Sequence, residues 1–332
     1  MGRGQGRFAR NDTRPRPCPL PTARLTVQRS ARFPVHGLLG AAVILGAELL
    51  LFSGSQLVGR WFTPIVWTGY VLLMDAVVAR VTGRSYLTTD RVEGVFVALA
   101  SVGGWWLFEW YNAPRFWQGG ADLVGVWWQY HNVEPNLLLR RVGYDWAFAT
   151  IFPALFLTAA ALRATVFTRS RVRPWRPSPG LLRAAVAAGV VSVVLPLAVV
   201  SAWLVPLVWT GWALLLEPLN YRRGRPSWLA DLAAGDASRV AALFGSGLVC
   251  GVLWEFWNYW ALTKWTYTVP YPPHVKLFEM PVLGYLGFLP FALECFAMYH
   301  FCRGVLRHGF NRGWPDTGAP VAAPVSPAGP LL

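Results

Sequence analysis

The feature that most constrains this chain is a series of eight apolar stretches, at 37–55, 62–79, 94–111, 144–166, 181–203, 204–219, 238–258 and 282–303. A bilayer's hydrocarbon core takes about 20 apolar residues of helix to cross. Lipid offers the backbone no hydrogen-bond partners, so a spanning segment must be a helix or part of a closed barrel. Runs of this length predict helices. The composition agrees: 55% of the residues are hydrophobic, 14% are charged and 19 are Trp, which is too apolar for an ordinary soluble domain. The expected fold class is all-α, a polytopic membrane protein of about eight transmembrane helices.

The formal net charge of +14 would suit a nucleic-acid binder if the cations were clustered with aromatic residues. They are not. With eight spans, 24 of the 30 lysines and arginines fall on the side of the two termini. This is the positive-inside bias, and it predicts that both termini are cytoplasmic and that nucleic acid is not a partner. Arg169, Arg171, Arg173 and Arg176 are placed to attract anionic headgroups. The Arg-rich first 35 residues are too long for a signal peptide, and "FSGSQ" is a poor cleavage site, so the first span is expected to be retained. Cys18, Cys250, Cys295 and Cys302 form no metal-type pair, and neither a metal nor another cofactor is implied.

The chain repeats itself. "PIVWTGYVLLMD" at 64–75 is matched by "PLVWTGWALLLE" at 206–217, and "GRSYL" at 83–87 by "GRPSWL" at 224–229. "LFEWYN" at 107–112 returns as "LWEFWN" at 253–258, and "WQY" at 128–130 as "WTY" at 265–267. "GYDWAFATIFPALF" at 143–156 then resembles "GYLGFLPFALECF" at 284–296. The order is kept throughout. The expected organisation is a disordered Arg-rich tail (1–35), a first four-helix repeat (36–167), a linker (168–180), a second four-helix repeat (181–305) and a disordered Pro/Ala-rich tail (306–332). A repeat of four spans enters and leaves on one side, so the two should be parallel and related by an axis along the membrane normal.

The repeated polar residues are the site candidates. Positions i and i+3 share a helix face, so Glu109 with Asn112 and Glu255 with Asn258 each present a carboxylate and an amide together. Ionisable groups inside a membrane are costly and usually face a bundle interior or a wet cavity. Glu109 and Glu255 are the candidate catalytic acids, with Asn112, Asn258, Trp110, Trp254, Trp257, Trp128, Tyr130, Trp265, Tyr267, His131 and His274 as substrate-binding candidates around them. The competing roles are an interfacial aromatic belt for the Trp and Tyr residues, helix C-caps for the two Asn and a structural bond to a neighbouring helix for each Glu. Asp75, Glu217 and Glu294 are secondary candidates, the first two with Arg80, Arg84, Arg222 or Arg225 as the simplest partners. Glu48 and Glu294 lie deep in their spans without an acidic counterpart in the other half. The sequence contains no nucleophile elbow, phosphate-cradling Gly loop or HExxH.

At "VWTGY", "LLMD", "GRS", "FEWYN", "WQY", "LWEFWNYWALTKWTY" and "MPVLGYLGFLPFALECF" the chain resembles an uncharacterised family of bacterial multi-pass membrane proteins. The likeness covers most of residues 60–305 and centres on a tandem Trp-Glu-x-x-Asn motif, whose first copy here opens with Phe. It implies the bacterial inner membrane and no known activity. More distantly, an acid at a span end, then Trp-x-aromatic, then Pro opening the next span is similar to the small membrane-embedded lycopene cyclases and related carotenoid hydratases. On that resemblance Glu255, Trp265, Tyr267 and Pro281 hold the matching positions, as do Glu109, Trp128 and Tyr130. Those cyclases open the following span with a Pro-x-Glu-Glu type sequence, whereas "FEMPVLGY" has its acid before the proline and none just after it.

Alkene protonation needs a neutral carboxylic acid in an apolar site and aromatic faces to stabilise the cation it creates. The expected function is therefore modification of an isoprenoid or similar lipid by Glu109 or Glu255. The alternatives are a non-catalytic binder or transporter of an apolar molecule or small solute, and a membrane scaffold. The expected partner is membrane lipid or an apolar small molecule.

Overall fold

The structure, a computed structural model, describes residues 32–113, 125–270 and 275–310. Cys18, His274 and most of both tails lie outside the described residues. Among the described residues, eight helical segments are long and apolar enough to cross a membrane. They are α1 (Val35–Phe52), α2 (Gln56–Thr82), α3 (Arg91–Asn112), the pair α4 (Leu137–Ala149) and α5 (Ile151–Thr165), α6 (Pro179–Ala198), α7 (Val205–Arg222), α9 (Ser238–Trp260) and α10 (Phe288–Phe310). A short α8 (Trp228–Ala233) lies between α7 and α9. The protein is a helical, multi-pass membrane protein, and its outward faces carry bare apolar side chains such as Leu38, Leu49 and Leu99, each more than half exposed.

Several helices begin before the apolar stretch that announces them, because polar caps set the ends and hydropathy marks only the middle. Ser55 accepts the Val58 N–H and starts α2 ahead of position 62. Asn136 accepts the N–H groups of Leu138 and Leu139 and starts α4 at Leu137, ahead of position 144. The fourth span is broken at Thr150, three residues before Pro153, which cannot donate to the helix ladder. Ser101 of α3 compensates: its hydroxyl donates to the Phe148 carbonyl at 2.5 Å and accepts the Phe152 N–H at 2.9 Å. The eighth span likewise opens with a 3₁₀ segment, Val282–Gly287, ahead of Pro290.

α1 packs along α2 and α6 along α7. Gly40 and Gly189 permit those approaches, since a Cβ at either would collide with the facing backbone, at Gly69 and Leu215 respectively. α5 packs between α2 and α9, and α10 between α7 and α9. α3 lies against α4, α5 and α10.

At one end of the bundle, strand β1 (Trp128–His131) pairs antiparallel with β2 (Lys264–Tyr267), placing Trp128 opposite Tyr267 and Tyr130 opposite Trp265. A second small ladder joins β3 (Lys276–Leu277) to β4 (Met280–Pro281). Residues 128–131 and 264–267 thus cross-link the two halves of the chain.

At the other end, the expected Arg partners of Asp75 and Glu217 are replaced by loop hydrogen bonds. Asp75 accepts the Ser85 hydroxyl at 2.6 Å and the Leu87 N–H at 3.2 Å; Glu217 accepts the Ser227 hydroxyl at 2.6 Å and the Leu229 N–H at 2.9 Å. Each carboxylate is fully buried and ties down the loop that follows its own helix. Arg84 pairs instead with Asp90 at 2.8 Å. Glu93 is held there by a two-pronged ion pair with Arg303 and by the Tyr299 hydroxyl.

Candidate functional site: an aromatic chamber under the strand pair

A strand alternates its side chains between two faces. In β1 and β2 that alternation puts Trp128, Tyr130, Trp265 and Tyr267 on one side of the ladder, and these four residues line a cavity of about 480 Å³. Gln129, His131, Lys264 and Thr266 take the other positions; His131 is exposed and bonds Thr266 across the ladder at 2.8 Å. The helices contribute Trp67, Trp105, Tyr144, Trp209, Trp254 and Phe291 to the walls. Trp209 stacks on Phe108 at 5.2 Å and meets Phe291 edge-on at 5.1 Å, while Trp67 and Trp254 lie 5.1 Å apart. Such pairing fixes the rings and leaves π faces toward the space between them.

Asn112 and Asn258 do not line the chamber. Asn112 donates to the Trp128 carbonyl at 2.9 Å and accepts the N–H groups of Trp127 and Trp128 at 2.9 and 3.1 Å. Asn258 donates to the Trp265 carbonyl at 2.8 Å and accepts the Trp265 N–H at 2.9 Å. Each amide binds a strand's backbone to the end of a helix. Their shared face with Glu109 and Glu255 therefore reflects a scaffold, with the strand as its object.

The two carboxylates are treated differently. Glu109 Oε1 accepts three bonds, from Trp105 Nε1 at 3.0 Å, Trp128 Nε1 at 3.1 Å and the Tyr130 hydroxyl at 2.5 Å. Glu255 lines the chamber, is fully buried and accepts the Tyr267 hydroxyl at 2.6 Å on Oε1. Its Oε2 is buried with no hydrogen-bond partner among the described residues. Trp265 Nε1 donates to the Tyr267 oxygen at 2.8 Å, so Trp265, Tyr267 and Glu255 form a directed chain. Burial, reinforced by the adjacent carboxylates, pushes the phenols of Tyr130 and Tyr267 well above their ordinary range, which keeps both as donors.

Other expected site residues fall elsewhere. Trp110 is 39% exposed and outside the chamber lining. Trp257 is buried behind the wall, where its Nε1 donates to Glu48 at 2.9 Å; that bond also answers for Glu48, whose partner sequence reasoning did not supply. Glu294 is buried against the α7 backbone, accepting the Trp212 N–H at 2.8 Å.

Trp67, Trp105 and Trp209 were missed as wall residues although signals for them existed. Trp105 sits one helical turn before Glu109, and Trp67 and Trp209 occupy the same place in the repeated "VWTG". Arg60, Glu134 and Arg140 also line the chamber, and a tally of loop charges gave no reason to group them. Among the described residues no cluster of three or more His, Cys, Asp or Glu could hold a metal ion. Compared with protein-family models, curated proteins and solved structures, the chain finds no match in any of the three.

Proposed function

We propose that this is a lipid-modifying enzyme of the bacterial inner membrane, in which Glu255 transfers a proton to and from a carbon–carbon double bond of an isoprenoid-like substrate held in the aromatic chamber. The observation that carries the reading is the buried, unpartnered Glu255 Oε2 of a chamber whose walls are rich in tryptophans and other rings. A buried polar atom without a partner costs about 1–3 kcal/mol, a cost that a ligand or a reacting group can relieve. In the proposed step the Glu255 O–H bond breaks as a new C–H bond forms on the alkene. The adjacent carbon becomes cationic and is stabilised by the π faces of Trp105, Trp209, Trp254 and Trp265. Loss of a proton from a neighbouring carbon then returns it to the Glu255 carboxylate, so isomerisation or cyclisation closes without a co-reactant. Tyr267, held by Trp265, orients the carboxyl group.

The chamber is further proposed to lie on a pseudo-two-fold axis between parallel four-helix repeats, with both termini cytoplasmic. The ladder register supports the axis: exchanging Trp128 with Trp265 and Tyr130 with Tyr267 turns one cross-strand pair into the other. So do the matched roles of Asn112 and Asn258, of Asp75 and Glu217, and of Ser85 and Ser227. The distribution of the 30 basic residues supports the orientation.

The test is turnover in deuterated water. Protein in lipid nanodiscs is incubated with prenyl lipids, and the lipids are recovered for mass spectrometry. Deuterium on carbon is expected with the wild type and should fall at least about 100-fold in Glu255→Gln. A protein that retains a defined lipid but adds no deuterium in either form is a binder, and the enzyme reading is then abandoned.

A further inference from the structure

Apart from Glu255, the charged side chains of the chamber's mostly aromatic and apolar lining gather along one wall. There Arg60, one turn into α2, and Arg140, one turn into α4, reach the same short segment from two sides. Arg60 Nη1 lies 3.1 Å from Glu134 Oε2, and Arg140 Nε donates to the Glu134 carbonyl at 2.6 Å. Both guanidiniums therefore converge on one residue at the chamber's edge, and both belong to its lining. The side chain of Arg60 is 39% exposed, so this wall is also where the chamber meets the surface. Glu134, held below the usual carboxylate range chiefly by the Asn136 N–H and also by Arg60, stays charged and offsets one of the two cations. One net positive charge remains on the wall.

A neutral hydrocarbon gives two arginines nothing to bind, whereas a phosphate accepts bidentate bonds from such a pair. We propose that the chamber's ligand is an amphiphile with a phosphate headgroup, seated by Arg60 and Arg140 at the edge while its apolar chain lies among the tryptophans. The inference rests on the reading of the cavity as a ligand chamber and adds the headgroup chemistry. Glu134 acts as a counter-charge that weakens the anion's hold.

The test is equilibrium binding of tritiated farnesyl phosphate and tritiated farnesol to the full chain in phosphatidylcholine nanodiscs, with empty nanodiscs as background. Farnesyl phosphate should bind at least ten-fold more tightly than farnesol. That preference should vanish in the Arg60→Gln, Arg140→Gln double variant while farnesol affinity stays within two-fold. Glu134→Gln should tighten farnesyl phosphate several-fold and leave farnesol unchanged, a gain that a misfolded variant would not produce. Inorganic phosphate tests the headgroup alone: competition at millimolar concentration supports a phosphate seat, and tight binding without a chain would assign the wall to free phosphate and overturn the amphiphile. Equal binding of the two farnesyl ligands, or a preference that survives in the double variant, overturns the headgroup inference and leaves the chamber standing. Specific binding of neither ligand overturns the chamber reading itself.

Discussion

The corner built on Glu109, whose donors line the chamber while Glu109 itself does not, and the corner built on Glu255, which does, use the same residue types in the same order, yet they distribute donors in opposite ways. Around Glu109 three side chains converge on one carboxylate oxygen, and Asn112 makes three bonds to the strand backbone. Around Glu255 one phenol reaches the carboxylate, the second oxygen has no partner, and Asn258 makes two strand bonds. The difference comes from indole placement. Trp128 and Trp105 both aim at Glu109, whereas Trp265 aims at the Tyr267 oxygen instead. A carboxylate oxygen held by three fixed donors is a structural anchor; a buried one with no partner among the described residues is available to something else. Matching sequence motifs need not keep matching jobs.

The comparison is broken most directly through the asparagines, where the largest stability effects are expected. Asn112→Ala removes three buried hydrogen bonds and should cost about 3 kcal/mol, at roughly 1 kcal/mol for each bond lost. Asn258→Ala removes two and should cost about 2 kcal/mol on the same reckoning. Chemical unfolding in detergent micelles measures both. Equal costs would mean that the extra bond on the Asn112 side contributes nothing and that the corners are alike after all.

The tyrosines sharpen the comparison with the opposite ordering. Tyr130→Phe leaves Glu109 two indole donors, whereas Tyr267→Phe strips Glu255 of its hydroxyl partner, so the second variant should lose about 1 kcal/mol more than the first. Their titration has a definite sign. Both phenols are raised in the folded protein, chiefly by burial and then by the neighbouring carboxylates. The unfolded chain begins to ionise near pH ~10, so the stability tied to these groups is full below that pH and declines as pH rises above it. Each tyrosine contributes about 1.4 kcal/mol per pH unit to that decline, and either Phe variant should flatten the alkaline limb of the stability curve. An unchanged limb would mean that the two phenols are open to water.

Much of the fold could be read from the residues because membranes impose a simple rule. Eight apolar stretches were expected where eight apolar helical segments stand, and the caps at Ser55 and Asn136 explain the shifted starts. The strand pair was not foreseen. "WQY" and "WTY" read as interfacial aromatics, and only the alternation of large rings with Gln129 and Thr266 hinted at a period of two. The Asn residues carried the wrong implication for a related reason. Spacing on a helix tells which face a side chain occupies, but the backbone groups that Asn112 and Asn258 bind lie 15 or 16 residues away in one case and 7 in the other. Asp75 and Glu217 misled by proximity in sequence: arginines are plentiful nearby, but a buried carboxylate is satisfied at less cost by a hydroxyl and an N–H from the next loop than by a second buried charge.

The smallest effect lies at the far end of the bundle, where the same two halves can be compared away from any ligand. Asp75 has the Ser85 hydroxyl, the Leu87 N–H and His36, whose Nε2 lies 3.0 Å from Oδ2. Glu217 has the Ser227 hydroxyl and the Leu229 N–H on Oε1, and its Oε2 is buried with no hydrogen-bond partner among the described residues. Ser85 also bonds the Thr88 hydroxyl and N–H, and Ser227 the Ala230 N–H, so the comparison is made on the hydroxyl–carboxylate coupling alone, which should be larger for Ser227 with Glu217 than for Ser85 with Asp75 by about 0.5–1 kcal/mol. Double-mutant cycles of Ser227→Ala with Glu217→Gln and of Ser85→Ala with Asp75→Asn, read by thermal unfolding, resolve this. If the ordering holds, the second half carries the less satisfied carboxylate at both ends, and the bare oxygen at Glu255 is one instance of a looser half. If the Ser85–Asp75 coupling is the larger, the asymmetry is confined to the chamber, which strengthens the case that the unpartnered Glu255 Oε2 answers to a ligand.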